Sequence, residues 1–187
     1  MTTGYQINDQ EGLYYLTFQV VGWVDIFSRQ VYKSIIIDNL RYCQKNKELA
    51  VFAYVIMSNH VHLMLQSQNG TLSQTIRDFK SYTSKIILET IAESNESRKQ
   101  WMLSYFEYAA KKHKRNSKYQ FWTHENHAVH VYSDNFISQK LDYIHMNPVR
   151  AGIVREPEHY IYSSASNYSS MDSVLEVEIL TTKWKTV

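Results

Sequence analysis

His60 and His62 stand one residue apart, directly after the apolar run Ala50 to Met57 and the polar pair Ser58-Asn59. Side chains two apart on a strand share a face, with Cα atoms roughly 6.6 Å apart. Both imidazoles can then lean onto one divalent ion while Val61 points the other way into a core. Far downstream, the segment Asp142-Tyr143-Ile144-His145-Met146-Asn147-Pro148-Val149-Arg150-Ala151-Gly152 offers a phenol and an amide oxygen one helical turn apart. In a helix, Phe136, Lys140, Tyr143 and Asn147 line one stripe, and His145 points elsewhere. Tyr143 can attack a phosphorus, and Asn147 can lend an oxygen to a metal. Lys140, one turn back, can favour the phenolate or bind a phosphate. Two imidazoles and one amide oxygen leave coordination positions open, which a catalytic Mg²⁺ or Mn²⁺ fills with water and a scissile phosphate oxygen. Each part alone is as well explained by packing or by a helix stop; their conjunction points to phosphodiester chemistry.

The elements that must position these groups follow from periodicity. Tyr14 to Val21 is rich in β-branched and aromatic residues and predicts a strand. Ser28 then serves as N-cap of a helix whose apolar stripe is Tyr32, Ile35, Ile36, Leu40 and Cys43. Ala50 to Met57 and His60 to Gln66 form a hairpin that turns at Ser58-Asn59 and ends at Asn69-Gly70. Thr71-Leu72-Ser73-Gln74 fits a capping box at the head of a second helix. A third helix spans Asn95 to about Ala110. The alternation His127 to Tyr132 favours a last strand within Phe121 to Tyr132, and Ser133-Asp134 opens a helix that runs to about Asn147, because Pro148 disfavours helical geometry in the residue before it. Val174 to Leu180 reads as a short strand that packs or pairs with a partner. The order β-α-β-β-α, helical stretch, strand, helix predicts an α+β fold. It is a ferredoxin-like split βαβ whose central antiparallel sheet carries the His-x-His pair, with extra helices.

A chain of 187 residues, 44% hydrophobic, is long enough for one substantial core. The expected organisation is a single domain over 1–187, with its core at about 14–154 and a C-terminal extension over 155–187. One cysteine, Cys43, excludes an intrachain disulfide framework. Polar residues from Gln6 to Glu11 stand where a signal peptide needs an apolar stretch, and no apolar run reaches membrane-spanning length. A cytoplasmic protein with no membrane partner is the expectation. The net charge of +2 and pI of about 8.5 fall short of a strongly basic balance. Placement says more: Lys111, Lys112, Lys114, Arg115 and Lys118 run into Tyr119, Phe121 and Trp122, a pairing suited to neutralising a backbone and stacking bases of a single strand. Arg77 and Lys80 on one helix face, and Arg150 after the Asn147-Pro148 pair, are further candidates for phosphate contact.

Val55 to Leu63 and Leu141 to Val154 resemble the two signature blocks of the REP-associated tyrosine transposases, a branch of the HUH single-tyrosine transposases. Phe121-Trp122 and Tyr162-Ser163-Ser164-Ala165 with Asn167-Tyr168 match in the same order, so the resemblance spans roughly residues 14 to 170. It implies a metal bound by His60, His62 and Asn147 and a nucleophile at Tyr143. That tyrosine would nick single-stranded hairpin DNA through a 5′-phosphotyrosine link, free a 3′-hydroxyl and later rejoin strands. No nucleotide cofactor would be needed, and family members occur as monomers and as homodimers. The residues leave two rivals open: a non-catalytic or domesticated protein that binds hairpin DNA, and a small metallohydrolase in which Tyr143 is structural. Where the family commonly has Gln after the Trp of the last strand, this chain has Thr123-His124-Glu125-Asn126-His127.

Overall fold

In the computed structural model, which describes residues 6–112 and 118–181, four strands form one antiparallel sheet in the order β2-β3-β1-β4. They are β1 (Tyr14–Gln19), β2 (Leu49–Ile56), β3 (His60–Ser67) and β4 (Val129–His130). The main helices are α1 (Gln30–Asn46), α2 (Leu72–Glu93), α3 (Lys99–Lys111), α4 (Asp134–Arg150) and α5 (Ala165–Tyr168). This is the expected split βαβ: β1 and β2, joined through α1, flank β3.

The period of two along the strands sorts the sheet into two faces. Leu16, Phe18, Leu63 and Leu65 point to one side, where Leu40 of α1 and Ile76 and Phe79 of α2 close over them. Tyr15, Thr17 and Gln19 of β1 and His60 and His62 of β3 point to the other. Cross-strand register sets Thr17 opposite His62 and Gln19 opposite His60, and α4 lies over this second face with Tyr143 against His62.

Several local expectations give way to longer-range contacts. Thr71 stands at the N-cap of α2 without a capping bond, and the Gln74 amide donates to Asp78 instead, 2.6 Å away. The capping box is therefore not formed; Gln10, distant in sequence, accepts from the Ser73 amide at 2.9 Å. Ser28 ends a 3₁₀ turn, Ile26–Ser28, and Arg29 takes the N-cap position of α1. The expected last strand is reduced to β4 and an isolated bridge of Trp122 to Val20, because the intervening residues form a bulge, bonded to β1 through Thr123 N–H to Gln19 O and Thr17 N–H to Asn126 O, in which His127 adopts φ +42°.

Helix α4 does not stop before Pro148. It continues to Arg150 and closes with a left-handed Gly152 (φ +70°), where Gly152 N–H donates to Val149 O and Ile153 N–H to Pro148 O, both at 2.9 Å. Proline in the last turn forfeits only its own amide bond, and its fixed φ is helical, so this Schellman end outweighs the preference that Pro148 imposes on Asn147.

The segment from Val174 to Leu180 forms no strand; it makes a single backbone bond to β2, from Glu178 N–H to Val51 O. The free edge of β2 is instead covered by residues 160–164, through Ile56 N–H to Tyr162 O and Ser164 N–H to Tyr54 O. Such cover removes a template for pairing with another chain.

Candidate active site

The two imidazoles lie with ring centroids 4.6 Å apart, and each is pinned through Nδ1. His60 Nδ1 sits 2.7 Å from Asn59 Oδ1. His62 Nδ1 sits 2.8 Å from the Tyr15 hydroxyl and 2.9 Å from Thr17 Oγ1, both delivered by the neighbouring strand. That leaves Nε2 of His62 buried without a hydrogen-bond partner. Burial pushes the His62 imidazole down to about 3, with the charges of His60 and Lys140 adding to the effect; burial also lowers His60. Both rings are therefore neutral at pH 7. A neutral ring fixed through one nitrogen, with the other nitrogen bare and buried, is the arrangement that metal-ligating histidines adopt. Among the described residues no third His, Cys, Asp or Glu joins the pair. Any cation held here takes its remaining donors from neutral oxygens, water or substrate, a set that fits Mg²⁺ or Mn²⁺.

Tyr143 approaches this pair from α4. Its ring centroid is 5.2 Å from that of His62 and 6.1 Å from that of Tyr15, edge-on to both, and the residue is 41% exposed. The helical stripe holds as the spacing predicts. Lys140 Nζ lies 4.5 Å from the Tyr15 ring centre, 5.2 Å from that of Phe136 and 6.0 Å from that of Tyr143. Burial lowers the Lys140 ammonium below its ordinary range. Because α4 persists through Pro148, Arg150 stays on the helix and its guanidinium sits 5.6 Å from the Tyr143 ring centre. Asn147 donates its Nδ2 to the Tyr143 carbonyl at 2.9 Å, which orients the amide. His145 turns away into the core, wholly buried, with Nε2 2.8 Å from Ser164 Oγ.

The residues expected to touch nucleic acid separate into distinct groups. Trp122 is a core residue: it is 5% exposed, packs against Phe18, Phe27 and Phe121, and donates its Nε1–H to Thr83. It offers no face on which a base can stack. Lys80 donates to Thr123 O and to Asn126 Oδ1, both at 2.7 Å, and burial lowers it to about 8; it braces the bulged loop. Arg77 is exposed and donates to Gln74. Lys111 pairs with Glu107 at 2.9 Å, Lys112 lies over the Tyr108 ring and Lys118 over that of Tyr119. Lys114 and Arg115 lie outside the described residues.

Sequence reasoning missed Tyr15, Thr17 and Asn59, the residues that orient the imidazoles. The Tyr15-Thr17-Gln19 alternation put polar groups on one strand face, but only the register with β3 aims them at His62. It also missed Trp23, whose indole stands edge-on to His60 with centroids 6.1 Å apart.

Comparisons with known proteins now bear on this geometry. No curated protein matches the chain. A solved structure of a REP-associated tyrosine transposase bound to a REP hairpin is similar, with a TM-score of 0.59 and 13% sequence identity. The match covers 100% of this chain and 99% of that one. At that identity the likeness is one of fold, and it agrees with the resemblance read from the two signature blocks. Residues 16–119 match the IS200-like transposases, a stretch that contains both histidines and ends before α4. The chain thus belongs to the family of IS200-like transposases.

Proposed function

We propose that this protein is a metal-dependent tyrosine transposase that nicks and rejoins single-stranded hairpin DNA, with Tyr143 as its nucleophile. The observation that carries the reading is the approach of Tyr143 to His62 within one chain, at 5.2 Å between ring centres, with two cationic side chains alongside. A structural tyrosine on an amphipathic helix needs neither half exposure nor a neighbouring pair of pinned, neutral imidazoles.

The hydroxyl of Tyr143 attacks the scissile phosphorus and gives up its proton. The bond from phosphorus to the 3′ oxygen breaks, that oxygen takes up a proton, and a 5′-phosphotyrosine and a free 3′-hydroxyl result. Attack by a 3′-hydroxyl on the same phosphotyrosine reverses the step and joins strands, so the phosphodiester energy is conserved in the link. Lys140 and Arg150 stand where positive charge favours the phenolate and holds phosphate oxygens. Tyr15 is unsuited to the nucleophile's role, since burial raises its phenol well above the ordinary range and its hydroxyl is committed beside His62. His60, His62 and the Asn147 amide oxygen would hold Mg²⁺ or Mn²⁺, which when bound supplies Lewis-acid polarisation of the phosphate.

The test mixes the protein, or its Tyr143→Phe variant, with labelled single-stranded hairpin DNA from the gene's own flanks and Mg²⁺, Mn²⁺ or chelator. A protein-linked DNA band on a denaturing gel that requires both metal and Tyr143 supports the reading. Cleavage without such a band would sink the nucleophile assignment. Tight, metal-independent binding with no cleavage would favour a DNA-binding protein without chemistry.

A further inference from the structure

Beside the histidine pair the chain keeps a tryptophan in an unusual posture. Trp23 is 59% exposed and adopts φ +58°, a left-handed conformation that a bulky residue takes only where its surroundings impose it. Two neighbours impose it here. Gly22, also left-handed at φ +63°, packs so closely on α3 that a Cβ added to it would fall 2.1 Å from the Tyr105 hydroxyl oxygen. The Trp23 carbonyl accepts from Asn59 Nδ2 at 3.4 Å, and Oδ1 of that same amide faces His60 Nδ1. One asparagine thus couples the posture of the indole to the orientation of a candidate metal ligand.

The sheet continues from this point into an open groove. Gln19, paired across the ladder with His60, lines it together with Val21, Tyr105, Tyr108 and Lys112, around a volume of about 500 Å³. Tyr108 is 57% exposed, and Lys112 Nζ stands 4.3 Å from its ring centre. Exposed aromatic surface beside a cation, in a groove that reaches the ladder partner of His60 and carries Glu125 on its far wall, suits a flexible polyanion with stackable bases.

We propose that Trp23 and this groove form the track for the single strand that adjoins the cleavage site, with one base of that strand stacked on the indole. The proposal rests on the reading of Tyr143 as a DNA nucleophile, and it adds which surface carries the unpaired flank. Trp23 acts as a positioning residue: it holds the strand so that the adjoining phosphate lies between the histidines and Tyr143.

The test measures, by fluorescence anisotropy, the affinity of the full chain for three labelled DNAs: a blunt stem-loop, the same stem-loop with a 5′ thymidine extension, and the same with a 3′ extension. The wild type is expected to prefer one extended form over the blunt one. Trp23→Ala should weaken binding of that form by about tenfold to hundredfold, the range of one lost base stack, while leaving the blunt stem-loop unchanged. Trp23→Phe, which keeps a ring, should retain most of the affinity, and Tyr108→Ala should weaken the same form. A 2-aminopurine in the extension should lose its quenching in Trp23→Ala alone. Equal binding of the extended form by wild type and Trp23→Ala overturns the track, as does an equal loss for the blunt stem-loop, which would place the stem on the indole. The covalent Tyr143 adduct is scored in parallel. An adduct with no role for Trp23 refutes the track and spares the nuclease; a Trp23-dependent extension preference with no adduct refutes the nuclease and spares the track.

Discussion

Removing both oxygens from His62 Nδ1 should weaken Mn²⁺ binding far more than removing either one. Tyr15→Phe and Thr17→Val each delete one oxygen and keep the shape of the side chain, and the two oxygens stand at 2.8 and 2.9 Å from the same nitrogen. After either single change the ring still has a partner, so the loss is that of one neutral hydrogen bond, about 1 kcal/mol or roughly fivefold in affinity. After both, a nitrogen on a residue only 4% exposed has none, and the ring is free to rotate. An unpaired buried polar group together with lost orientation costs about 2–3 kcal/mol, or about 30- to 150-fold. The double effect therefore equals or exceeds the sum of the single ones. Mn²⁺ titration followed by electron paramagnetic resonance measures the dissociation constants, with a thermal melt on each variant to confirm the fold. A double variant that binds Mn²⁺ as tightly as the wild type refutes the ligand assignment of His62. A single variant as damaged as the double refutes the shared support.

Four other outcomes follow from the packing and the charges. Gly22→Ala should cost at least about 2 kcal/mol in chemical denaturation, because its left-handed backbone and the Tyr105 ring both oppose a Cβ. Part of that loss should return in a Tyr105→Ala background. His145, held near 3 by burial against about 6.5 when unfolded, is neutral in both states above pH 6.5. As pH falls below 6.5 the unfolded chain binds the proton first. Stability should then drop by about 1.4 kcal/mol per pH unit down to about pH 3, and urea midpoints at pH 7 and pH 5 should show a smaller drop in His145→Gln. Finally, Lys80→Met should lower the melting temperature by about 2–8 °C through loss of its two loop bonds, yet leave the salt dependence of DNA affinity unchanged. Arg150→Ala should reduce that slope by about one charge.

The two short periods in the chain were sufficient to place much of the candidate site on its elements. A period of two placed His60 and His62 together on one strand face. A period of 3.6 aligned Phe136, Lys140 and Tyr143, and the spacing of apolar runs indicated a split βαβ. These are local properties, determined within a few residues of backbone geometry. What the tertiary structure alone decided involves residues distant in sequence. The register of β1 on β3 turned Tyr15 and Thr17 toward His62. Gln10 displaced the local capping box at α2. Packing on Thr83, Phe18 and Phe27 took Trp122 out of reach of any base, and the loop bonds of Lys80 committed its ammonium to a strut. The turn at Gly22, pressed on α3, left Trp23 standing in solvent beside His60. A residue's type and spacing determine which face it can occupy. What it meets on that face depends on strand pairing and layer packing, whose energies come from partners that no local window of sequence contains.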